Sequence, residues 1–136
     1  MPNELNANAQ KWVKALRSGD YKRGRRALHM VTGNASQFCC LGVACELYRQ
    51  EVGGEWVPDD PHRQVFKVGL FDADTQLLPP PVRDWLGIKT TDGDFSPTGG
   101  GASRSLTQLN DSYDFDFCKI ADVIESRPKG LFNAKR

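Results

Sequence analysis

Phe38-Cys39-Cys40-Leu41-Gly42-Val43-Ala44-Cys45-Glu46-Leu47-Tyr48 is the stretch whose reading decides the fold. From Cys40 to about Glu51 the pattern is helical, and Cys40, Leu41, Val43, Ala44, Cys45, Leu47 and Tyr48 spread apolar surface nearly all round it. A helix apolar on most faces must be covered on most faces. This segment is therefore expected to be the central core element, ended by Gly53-Gly54.

Upstream, Ala9, Trp12, Val13 and Leu16 recur at helical spacing and predict a first helix from about Asn8 to Ser18. Asn6 or Asn8 is the expected cap, and Ser18-Gly19 the expected stop. Ala27 to Val31 reads as a strand, Thr32 to Ser36 as turn chemistry, and Gln37 to Cys39 as the returning strand of a hairpin. Downstream, Val65 to Gly69 alternates like a strand and Thr75 to Leu78 reads as a short extended piece. Pro79-Pro80-Pro81 leads into a short helix closed by Gly87, since proline suits a first turn and glycine the position past the last. Ser105 to Asn110 predicts one or two helical turns. Phe117, Ile120, Ala121 and Ile124 form the stripe of a last helix, with Asp114 as expected cap and Pro128 as stop. The reading is α+β, a mostly helical single domain over residues 1–136 with a small antiparallel sheet. A flexible loop is expected at 90–104 and a basic tail at 128–136.

The composition is that of an ordinary globular chain: 136 residues, 39% hydrophobic, 26% charged and net +1. It excludes collagen-like, coiled-coil and fully disordered classes. No apolar run approaches the roughly 18–20 residues of a membrane span, and Met1–Gln10 is too polar for a signal peptide. No membrane association is expected. The net charge conceals an uneven distribution: +5 over residues 1–30, 0 over 31–50, −8 over 51–125 and +4 over the last eleven. Arg17 and the run Lys22 to Arg26 suit either packing beside the acidic middle or an anion site, because guanidinium binds phosphate bidentately.

Two strings are distinctive: Trp12-x-x-Ala15-Leu16-Arg17-Ser18-Gly19-x-Tyr21-x-x-Gly24, and Phe38-Cys39-Cys40-Leu41-Gly42-Val43-x-Cys45-x-Leu47. With Val82-Arg83-x-Trp85-Leu86-Gly87 and Leu106-x-x-Leu109-Asn110-Asp111, they resemble a family of small proteins encoded by bacteriophages and prophages. The resemblance spans nearly the whole chain, excepting roughly 50–75 and 90–104. It implies a phage protein working in the bacterial host cytoplasm, where small accessory proteins block defence proteins or capture nucleotide alarm signals.

Three functional readings follow. The leading one is capture of an anionic nucleotide-derived small molecule by Arg17, Ser18, Tyr21, Arg25, Asn110 and Asp111. Tyr21 would stack a base, and the amide–carboxylate pair would read a base edge and a ribose hydroxyl. As structural alternatives, Tyr21 is a core residue and Asn110 ends a helix. The second reading is inhibition of a host protein through the basic N-terminal face. The third is a cysteine hydrolase in which Cys39 or Cys40 at a helix N-terminus is the nucleophile, His29 the base and Asn110 or Asp111 the orienter. Against it stands the favoured reading, in which all four cysteines are small hydrophobes filling a core. Vicinal Cys39-Cys40 followed by Cys45 lacks the paired spacing of a zinc site, so no metal or other cofactor is expected. Gly99 to Ser105 lacks the lysine and spacing of a phosphate loop. No helix-turn-helix spacing supports nucleic-acid binding, and a homodimer is an assembly the sequence allows.

Overall fold

The computed structural model describes residues 5–33, 35–71, 74–96, 103–113 and 115–133. In chain order the elements are α1 (Ala7–Ser18), β1 (His29–Thr32), β2 (Ala35–Phe38), α2 (Cys40–Glu51), β3 (Glu55–Pro58), β4 (Arg63–Lys67), α3 (Pro80–Leu86), β5 (Asp94–Phe95), β6 (Arg104–Ser105), α4 (Leu106–Asp111) and α5 (Phe117–Glu125). Two antiparallel hairpins, β1–β2 and β3–β4, join through β1 and β4 into a four-stranded sheet of order β2-β1-β4-β3. The fold is α+β, with α1, α3 and α4 packed on α2 and α5 packed on α1 and α4.

The buried face of α2 is Cys40 to Cys45 and Tyr48, as its all-round apolarity requires. It packs against α1, α3, α4 and β2. Gly42 permits an unusually close approach: a Cβ there would lie 1.7 Å from the Leu28 carbonyl oxygen. That carbonyl accepts the Cys39 backbone N–H at 3.3 Å, so the residues before β1 press directly on the first turn of α2.

Helix α1 buries the predicted stripe of Ala9, Trp12, Val13 and Leu16. The indole of Trp12 donates to the Cys40 carbonyl at 2.9 Å, tying α1 to the start of α2. Asn6 is the cap, accepting from Ala9 N–H at 2.7 Å while its amide donates to Leu86 O at 3.0 Å. One side chain thus satisfies orphan groups at the start of α1 and the end of α3.

Several elements differ from expectation. The cap of α5 is Asp116, which accepts from Lys119 N–H at 2.8 Å; Asp114 lies outside the described residues. Strand β1 starts at His29 rather than Ala27, because Leu28 is drawn out of the ladder by its N–H bond to Thr75 O. That bond is also what Thr75 does, in place of joining a strand. Strand β3 carries little periodic signal, being a four-residue edge strand ending in proline. Of the segment 90–104, residues 97–102 lie outside the described residues; at its ends Phe95 is buried and β5 pairs with β6. Beyond Pro128, Leu131 is fully buried, and its carbonyl accepts Lys89 N–H at 3.0 Å. Residues 128–133 therefore lie on the body of the domain, and 134–136 are outside the described residues. Among the described residues, no helix is long and apolar enough to cross a membrane.

Candidate functional site

The polar pair after the α4 stripe is turned inward. Asn110 is fully buried. Its amide nitrogen donates to Gly24 O at 2.8 Å and to Asp111 Oδ1 at 2.9 Å, and its backbone carbonyl accepts from Arg23 Nη1 at 2.8 Å. Asp111 Oδ1 also accepts Arg26 N–H at 2.9 Å, where φ of +64° places Arg26 in the left-handed region. Asn110 and Asp111 thus clamp residues 23–26 to the end of α4. The C-cap of α4 is Ser112, so Asn110 does not serve as the helix stop. Arg25 lies exposed on the same segment.

The remaining candidates are dispersed. Tyr21 is half-buried and packs edge-on against Phe38, with ring centroids 5.6 Å apart; burial raises its phenol pKa, opposed by a hydrogen bond with Gln50. Ser18 closes the end of α1 locally, its hydroxyl donating to Ala15 O at 2.7 Å and accepting Asp20 N–H at 3.0 Å. Arg17 reaches α5, its guanidinium lying between Asp122 Oδ1 at 2.5 Å and Glu125 Oε1 at 2.6 Å. Those two hydrogen-bonded carboxylates raise its pKa further.

Cys39, Cys40 and Cys45 are core groups, whereas Cys118 is exposed and does not fill the core. Cys39 caps α2, its sulfur accepting Gly42 N–H at 3.4 Å, yet burial pushes its pKa up to about 12 despite that bond. Burial also pushes the Cys40 and Cys45 thiols well up. Cys40 Sγ lies 3.6 Å from the Leu106 carbonyl, its acceptor. Loss of hydration disfavours the thiolate more than the helix dipole favours it. His29 is buried in an aromatic cluster, stacked on Phe38 with centroids 4.5 Å apart and tilted against Trp56. Among the described residues neither ring nitrogen makes a hydrogen bond of good geometry, Gln64 being the polar side chain beside the ring, so no thiol–imidazole pair is formed. Burial lowers the His29 pKa, while Gln64 and Glu46 pull it the other way. Among the described residues, no group of three or more His, Cys, Asp or Glu is placed to hold a metal ion.

A concave site does exist, and only two of the predicted residues line it. A groove of about 720 Å³ runs where α1 meets the end of α5. Leu5 and Val13 provide its apolar surface, Lys14 and Arg17 come from α1, and Glu125 and Arg127 come from α5 and the residue after its cap. Ser18 also lines it; Tyr21, Arg25, Asn110 and Asp111 do not. Tyr21 lines a smaller hollow of about 250 Å³ on the other side of Lys14 and Ser18. Lys14, Arg17 and Ser18 share one helical face by their spacing, a signal present in the sequence. Arg127 has no such signal. It follows the Ser126 cap with φ of +54°, at the position where helices favour glycine. Holding an L-residue there costs about 1 kcal/mol. Its guanidinium carbon lies 5.3 Å from the centre of the Phe132 ring, over its face.

No curated protein and no solved structure matches the chain. A family match runs over residues 5–128, from the residue before the Asn6 cap to the proline after α5, and it encloses every element described above. By that match the chain belongs to the family described as a domain of unknown function, DUF8296.

Proposed function

We propose that this protein acts by binding: a phage accessory protein that captures an anionic nucleotide-derived small molecule in the α1/α5 groove and so counters a host defence. The groove itself carries the reading. Its volume of about 720 Å³ falls within the roughly 300–1,000 Å³ of small-molecule sites. It combines an apolar wall at Leu5 and Val13 with the cations Lys14 and Arg127, beside an Arg17 already held by Asp122 and Glu125, which suits a ligand with a flat apolar body and an acidic group. The buried, protonated thiols and a His29 that pairs with no thiol weigh against the hydrolase alternative. The clamped Asn110-Asp111 pair moves the site away from α4 and onto α1.

Isothermal calorimetry against cyclic dinucleotides, ADP-ribose derivatives and nucleoside phosphates tests this. Saturable 1:1 heat with one of these classes, lost in Lys14→Glu, is the expected result. No heat and no thermal shift with any of them overturns it. A single stoichiometric protein recovered from host lysate would instead favour the inhibitor reading.

A further inference from the structure

We infer that the α1/α5 groove selects a ligand with a single phosphate group, best a phosphodiester, and that Arg127 with Lys14 forms its anion-binding pair. This rests on the reading that the groove takes a nucleotide-derived molecule. Both terminal nitrogens of Arg17 already face carboxylates, Asp122 and Glu125, so the triad carries a net charge of −1. Lys14 and Arg127 bring this set of described residues to +1. Glu125 is itself part of the lining and repels additional negative charge. The C-terminal end of α5 lies at the groove, and the negative end of its dipole subtracts further from anion binding. One phosphodiester charge is matched by this arrangement; a triphosphate is not.

Arg127 is the residue suited to make the contact. Its guanidinium carbon lies over the face of the Phe132 ring, and no carboxylate or carbonyl among the described residues accepts from the guanidinium N–H groups. A guanidinium held by an aromatic ring rather than by a carboxylate keeps its planar fork of donors for a phosphate. Its left-handed backbone adds an independent indication, because glycine would suit the position better if the side chain had no task.

The experiment is calorimetry of the full chain at one ionic strength with 3′,5′-cyclic AMP, AMP and ATP, so that only the phosphate group varies. Cyclic AMP is expected to bind at least tenfold more tightly than ATP, with AMP between them. Arg127→Gly is expected to lose at least tenfold for cyclic AMP without lowering the melting temperature, since glycine relieves the left-handed backbone. ATP binding as tightly as cyclic AMP, or Arg127→Gly binding as wild type does, overturns the inference while leaving a nucleotide groove standing. No binding by any of the three probes overturns the inference, and the nucleotide reading falls with it only if cyclic dinucleotides and ADP-ribose derivatives also give no heat.

Discussion

Gly42→Ala is the substitution for which the fold makes the sharpest demand. In an exposed helix the change would stabilise by about 1 kcal/mol, because alanine loses less backbone entropy than glycine. Here the new Cβ meets the Leu28 carbonyl oxygen at 1.7 Å and its carbon at 2.6 Å. Carbon–oxygen contacts settle near ~3.3 Å, so α2 and the residues before β1 must separate by roughly 1.5 Å. Overpacking of a well-packed core costs about 1–3 kcal/mol. The separation also breaks the bond from Cys39 N–H to Leu28 O, adding about 0.5–1.5 kcal/mol. After the propensity gain of about 1 kcal/mol, a net loss of about 2 kcal/mol remains at the middle of these ranges, a large part of the ~5–15 kcal/mol typical of a domain. Urea unfolding followed by circular dichroism should show the midpoint falling with the slope unchanged. Gly19→Ala is the control: φ is +81° but nothing lies within 4 Å, so only backbone strain of about 1 kcal/mol applies. A Gly42→Ala protein within about 0.5 kcal/mol of wild type would refute the close approach of α2 to Leu28.

Four further outcomes follow from the same geometry. Burial alone would raise the Glu46 pKa, but hydrogen bonds from Arg49, Gln50 and Trp56 hold it at about 2 against 4.5. The stability it contributes is therefore present above pH 4.5 and lost as pH falls toward 2; a Glu46→Gln protein should show a flatter urea midpoint across that window. His29, lowered from 6.5 by burial, contributes stability that is present above that value and lost as pH falls below it, so His29→Phe should flatten the stability profile just below neutrality. Asn110→Ala removes the amide that holds Gly24 and should cost about 1–3 kcal/mol, with faster proteolysis at 23–26; unchanged cleavage there would show that the clamp does not restrain the segment. Of the four cysteines, only the exposed Cys118 should react with a thiol reagent in the native protein, with Cys39, Cys40 and Cys45 reacting on unfolding.

Much of the helical framework is legible in the chain itself. The stripes of α1 and α5, the all-round apolarity of α2 and the proline–glycine punctuation of α3 are local patterns, and each records which face must leave water. The candidate site was far less legible. Asn110-Asp111 has the look of an exposed recognition pair, yet it braces Arg23, Gly24 and Arg26 across more than eighty residues of sequence. Cys39 does sit at a helix N-terminus, as its position suggests, but burial outweighs the dipole.

The sequence by itself determined the α+β class, the central helix and the hairpin, because those depend on periodicities of a few residues and on turn chemistry. Only the tertiary structure decided that Gly42 must be glycine, that Arg17 lies between two carboxylates of α5, and that Arg127 joins Lys14 at one groove. The reason is physical. A local pattern states that a side chain is to be buried or charged, whereas its partner and its hydration are set by elements that only the folded chain brings together.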